Sequence, residues 1–163
     1  DVACLSYGDM VEKSEKCQMM QDALALEFET SQHAFGPYCN NGAFYVATLR
    51  DLAPMETAAP AYGPAWRQLD VAILHKLILE NMLGIDEEAL TKESYIEYIK
   101  DFGDATARAI DKIDAGQAQA LFFLNPTRVA EVEAVVAEGE KMPQKSTFFF
   151  PKIFSGLVVN VLE

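Results

Sequence analysis

The sequence predicts an α/β or α+β fold: a mixed sheet of about five strands packed with helices in a single domain. Three observations predict it. Gly42–Leu49, Gln119–Leu124 and Leu157–Leu162 are short apolar runs that read as strands buried on both faces. Between such runs lie segments whose apolar residues recur with helical spacing. In the second half of the chain the two kinds of segment alternate, separated by Gly, Pro and Asn turns. A chain of 163 residues fits one domain, burying about 70% of its unfolded surface.

Taken in order, Ser14–Ala25 is a predicted helix with Cys17, Met20 and Leu24 on one face. Leu26–Ser31 reads as a short strand, and His33–Asn41 as a loop punctuated by Gly36 and Pro37. Gly42–Leu49 is rich in β-formers. Residues 52–64 form a flexible internal loop, with three prolines, many alanines and no periodicity. Trp66–Leu83 is the strongest predicted helix, burying Val71, Leu74, Ile78 and Met82. Asp86–Lys92 is a polar helical turn and Tyr95–Lys100 a strand. A helix from Asp104 to Ala115 turns Ala109, Ile110 and Ile113 inward and stops at Gly116. After Gln119–Leu124, Thr127 caps a helix to Glu138 with Val129, Val132, Val135 and Val136 as its buried stripe. Leu157–Leu162 closes the chain as a strand. Parallel pairing of 95–100 with 119–124 requires a right-handed crossover.

Charge narrows the partners. The net charge is −12, from 25 acidic and 13 basic side chains. Such a field repels polyanions, so neither nucleic acid nor an anionic membrane is an expected partner. No stretch reaches the ~18 apolar residues of a membrane helix. Three cysteines, Cys4, Cys17 and Cys39, cannot pair completely and lack metal-type spacing, which points to a reducing, cytoplasmic setting. His33 and Cys39 share a loop, but two ligands fall short of the usual four of a structural metal site, so no metal is expected. His75 sits among apolar neighbours and reads as a solvated or core-edge histidine rather than a catalytic one. The chain begins without Met and is expected to be a fragment of a longer protein.

Two stretches stand out chemically. Leu121–Thr127 (LFFLNPT) runs from a buried strand into a helix start, where free N–H groups and partial positive charge suit an anion. There Asn125 offers a neutral donor and acceptor, and Thr127 either caps the helix or meets a ligand. Gly139–Gly156 (GEKMPQKSTFFFPKIFSG) sets Lys145, Ser146, Thr147 and Lys152 among four phenylalanines. Its spacing imitates a nucleotide phosphate loop, but Gln144 replaces the second glycine and a helix precedes it, which excludes that motif. What survives is two cations bracketing hydroxyl donors in an acidic chain, a pattern that suits a phosphate. Competing with this, capping explains Asn-Pro-Thr, and aromatic runs ordinarily pack inward. Glu140 is the one nearby acid of interest, otherwise a helix-end surface residue.

The segments GAFYVATLRD, LDVAILHKLILENMLGI, AGQAQALFFLNPT and AEGEKMPQKSTFFFPKIFSGLVVN, in that order, resemble the C-terminal half of the bacterial and archaeal family called domain of unknown function 1015. The likeness runs from about Gly42 to Leu162 and is specific at Leu-Asn-Pro-Thr and at Met-Pro-x-Lys-Ser-Thr-x-Phe-x-Pro-Lys; the first forty residues match loosely. Full-length members carry an upstream Asp-Gly-His-His-Arg stretch similar to the nucleotide-dependent free-serine kinases of the ParB/sulfiredoxin superfamily, and it is absent here. The resemblance implies a half that completes or covers a phosphate or nucleotide site, inactive alone, whose first partner is its own N-terminal domain. It implies that Asn125, Thr127, Lys145, Ser146, Thr147 and Lys152 face a small phosphorylated ligand. It names neither a reaction nor a cofactor beyond a nucleotide in the longer protein. A non-catalytic accessory or dimerisation domain is the competing expectation, and homo-oligomerisation stays open.

Overall fold

The computed structural model describes residues 2–5, 12–30, 33–86, 88–89, 95–100 and 103–147. Strands β1 (Val2–Leu5), β2 (Ala34–Cys39), β3 (Phe44–Thr48) and β4 (Ala120–Leu124) form one sheet in the order β1-β3-β2-β4, and every pairing is antiparallel. Helix and sheet are combined as expected, but among the described residues the sheet has four strands rather than five and is not mixed. Leu157–Leu162 lies outside the described residues, as does much of the expected turn 86–92.

Helices cover both faces of the sheet, and the alternation of side chains along each strand decides which residue meets which layer. Helix α1 (Lys13–Glu29) buries Cys17, Met20 and Leu24, the face read from the sequence. These pack with Ala34, Tyr38, Phe44 and Val46 of the sheet and with Ile110 and Ile113 of α5 (Ala105–Asp114). Gly36 belongs to this layer: a Cβ there would lie 2.4 Å from Met20 Sδ and 3.1 Å from Phe123 Cβ. On the opposite face Phe35 shares one buried cluster with residues of α2 (Ala53–Ala58), α3 (Pro64–Arg67), α4 (Asp70–Ile73) and, through Val135, α6 (Val129–Ala137). Strand β4 serves both layers, with Leu121 and Phe123 on one and Phe122 and Leu124 on the other.

Several expectations are corrected. Residues 26–29 continue α1 instead of forming a strand, because Leu26, Glu27 and Glu29 are good helix formers and no turn residue intervenes before Thr30. Residues 34–39 are a strand, not a loop. Pro37 is tolerated inside the sheet because the β2–β3 pairing omits positions 36 and 37, where its missing N–H would matter. Within the 52–64 segment residues 53–58 form the short helix α2, with Pro54 in its first turn and Met55 and Ala59 buried. Tyr95–Lys100 pairs with no described strand. Ile96 packs into the core while Glu97 reaches Lys112, so the segment's anchors are side chains.

The expected helix 66–83 is interrupted at Leu69, whose extended backbone ends α3 and starts α4; Trp66 stacks on Tyr62 at 3.8 Å. From Leu74 to Met82 the chain is π-helical. Wider turns rotate the buried face, so Val71, Leu74, His75 and Leu79 point inward while Met82 is 76% exposed, against expectation. Helix α5 matches its prediction: Ala109, Ile110 and Ile113 are buried. Helix α6 does not: Val135 is buried, whereas Val129 and Val136 lie open. The helix touches the core along one narrow line, and Gly139, at φ 77°, turns the chain away after it.

Candidate functional site

The two polar stretches meet. The Thr127 hydroxyl donates to the Ser146 carbonyl at 3.0 Å, and the Ser146 hydroxyl donates to the Pro143 carbonyl at 2.7 Å. Lys145 adjoins them in a left-handed turn at φ 61°, and Thr147 is exposed beside it. Asn125 turns elsewhere, donating through Nδ2 to the Leu24 carbonyl at 3.0 Å and tying the end of β4 to α1. Lys152 lies outside the described residues.

Thr127 does not cap the helix. The N-cap is Arg128, whose backbone N–H donates to Glu131 Oε2 at 2.6 Å, half of a capping box. A carboxylate three residues into the helix therefore already occupies its positive end. The Arg128 side chain folds away from that end: Nη2 donates to the Phe28 carbonyl at 2.6 Å, and the guanidinium lies 3.8 Å from the Phe28 ring centroid.

Arg128 lines an open cleft of about 520 Å³ between the end of α1, the α3–α4 junction and α6. At its edge His33 and Asp70 form a pair that the sequence reading missed, with Nδ1 and Oδ1 2.7 Å apart. An ionised carboxylate only accepts, so Nδ1 carries the hydrogen and a neutral ring keeps its lone pair on Nε2. Both side chains are largely buried, at 24% and 15% exposure. The placement has a simple origin: His33 immediately precedes β2 in the sheet, and Asp70 is the first residue of α4, packed on that sheet.

The far wall carries Glu131 and Glu138. Ala65 N–H donates to both Glu138 oxygens at 3.2–3.3 Å, and Gly63 N–H donates to Glu140 Oε1 at 2.6 Å. Glu140 is thus a structural clasp rather than a surface residue, and its Oε2 is buried with no partner among the described residues. Among the described residues no group of three or more His, Cys, Asp or Glu is placed to hold a metal. No described helix is long and apolar enough to cross a membrane.

His75 stands apart from the cleft. It is 8% exposed and lies in edge contact with Tyr98, whose hydroxyl is 3.3 Å from Nε2. Burial, and next the Lys76 charge, hold the His75 pKa below the ordinary 6.5. The folded chain therefore binds this proton less readily than the unfolded chain. Its contribution to stability is full above about pH 6.5 and falls as pH drops below that value toward the folded pKa. Thermal unfolding between pH 7 and pH 5 should show a loss of stability in the native chain that is smaller in His75→Phe. Parallel pH profiles would assign the loss to other groups.

No family model, curated protein or solved structure matches this chain.

Proposed function

We propose that the chain is the ligand-holding half of a phosphate- or nucleotide-handling, kinase-like enzyme, inactive alone and completed by residues outside this sequence. The observation that carries the reading is the 3.0 Å contact between Thr127 and Ser146. It joins two polar stretches 19 residues apart into one surface, with Lys145 at its rim and Arg128 leading into the cleft. Lysine meets phosphate as a point charge, and backbone amides of an irregular loop give direction. Isothermal calorimetry of the longer protein with a nucleoside triphosphate tests it. Lys145→Ala should weaken binding roughly ten-fold, the equivalent of ~1.4 kcal/mol. Unchanged affinity would remove the reading.

A second reading, a non-catalytic accessory or dimerisation domain, is favoured by the same donors. Asn125, Thr127 and Ser146 each give a hydrogen to a carbonyl of the protein itself, and Glu131 closes the helix start. Under this reading the surface is fold-building. Lys145→Ala then leaves nucleotide affinity untouched, and deleting the domain lowers the stability or changes the oligomeric state of the longer protein.

A further inference from the structure

We propose that His33 is a catalytic base, which takes the proton of a hydroxyl on a small acceptor without negative charge as that oxygen receives a phosphoryl group. The inference rests on the nucleotide-handling reading above and adds the acceptor side to it. A base for this step needs a reachable lone pair and a partner that stabilises the ring once it is charged. The His33–Asp70 pair has both. Nδ1 lies 2.7 Å from Asp70 Oδ1, so in the neutral ring Nε2 carries the lone pair. Among the described residues Nε2 has no hydrogen-bond partner. Glu140 Oε2 is the one side-chain polar atom there that is both buried and unpartnered, so Nε2 is open to solvent. A tie between β2 and α4 would use Nδ1 alone; it does not require the ring to line a cleft, as His33 does.

The cleft begins one residue beyond the phosphate surface. Thr127 touches Ser146, and Arg128, next in the chain, lines the cleft with His33 and Asp70. Its volume of about 520 Å³ is that of a small-molecule site. Asp70, Glu131 and Glu138 outnumber Arg128 in the lining, which disfavours an acidic acceptor. In the step, the acceptor oxygen attacks the γ-phosphorus of the nucleoside triphosphate and loses its hydrogen to Nε2. The bond from that phosphorus to the bridging oxygen breaks, and the nucleoside diphosphate leaves with the electron pair. Asp70 is a positioning residue: it fixes the tautomer and lies beside the imidazolium, whose proton then passes to water.

Two measurements test this. The chain has two histidines, and His75 is buried. Diethyl pyrocarbonate at neutral pH should therefore modify one histidine of the native chain, mapped by peptide mass to His33; an unmodified His33 would overturn the proposal. In the longer protein, ADP release from ATP is followed with glycerol and water as the hydroxyl compounds. His33→Asn should lower kcat about 100-fold and Asp70→Asn about ten-fold, both with KM for ATP unchanged. The native kcat should fall on the acid side of its pH profile, and His33→Asn should lose that fall; Asp70, Arg128, Glu131 and Glu138, the other charged groups of the lining, are the same in both proteins. An unchanged kcat, a loss confined to KM, or ATP binding with no ADP release would overturn the proposal and leave the nucleotide reading standing. No calorimetric binding of ATP would remove that reading and this one with it.

Discussion

Trp66→Ala is expected to destabilise the chain by about 3–5 kcal/mol, the range for emptying a buried aromatic site. Trp66 is 5% exposed and lies 3.8 Å, nearly parallel, from the Tyr62 ring. It belongs to the core cluster that joins Met55, Leu69 and Val135, and so links α2, the α3–α4 junction and α6. Those elements carry two walls of the cleft. The cavity cannot close by a small local shift, because α3 is only four residues long and is held at its start by Ala65 N–H to Glu138 and Gly63 N–H to Glu140. Guanidinium denaturation should show a lowered midpoint with an unchanged slope. Trp66→Phe should recover much of the loss. A change below about 1 kcal/mol would mean that the cluster does not bear on stability as its burial implies.

Gly36→Val is expected to cost about 2–3 kcal/mol by overpacking. A Cβ at this position meets Met20 Sδ at 2.4 Å, Leu24 Cδ1 at 2.8 Å and Phe123 Cβ at 3.1 Å. The first two are ends of flexible side chains and can move. Phe123 Cβ is fixed to β4, whose residue 123 pairs with Gly36 itself. The β-branched side chain adds two methyls to that gap, so α1 must lift from the sheet. The diagnostic is a double-mutant cycle: Met20→Ala alone should destabilise, yet in the Gly36→Val background it should cost much less or even restore stability. Additivity of the two changes would refute close packing of α1 on β2.

The same two positions show what could be read from the chain and what could not. The buried face of α1 was legible because Cys17, Met20 and Leu24 share one helical stripe, and nothing distant alters helical spacing. Strands β3 and β4 were legible as short apolar runs. Strand β2 was hidden by Gly36 and Pro37, which locally signal a turn. Only the facing α1 and the gap in the β3 pairing make them acceptable. The π-helical stretch was invisible for a related reason: Leu74–Met82 fits an ordinary helix in composition, and tertiary contacts choose the wider turn.

The candidate site divides in the same way. The meeting of 125–127 with 143–146 was anticipated from two chemically unusual stretches, and Thr127 and Ser146 do touch. The His33–Asp70 pair was not, because 37 residues separate its members. His33 looked like half of a weak metal motif, and Asp70 lay inside the expected helix 66–83. The signal available was positional: a histidine just before one sheet strand and an acid opening a helix packed on that sheet.

The clasp of Glu138 and Glu140 on the backbone at 63 and 65 leaves a mark on permissible sequence change. A side chain at position 63 would put its Cβ 2.2 Å from Glu138 Oε2. That oxygen ends a flexible side chain and can swing clear, so a larger residue at 63 is expected to cost the Glu138 contact with the Ala65 N–H rather than to forbid the acid.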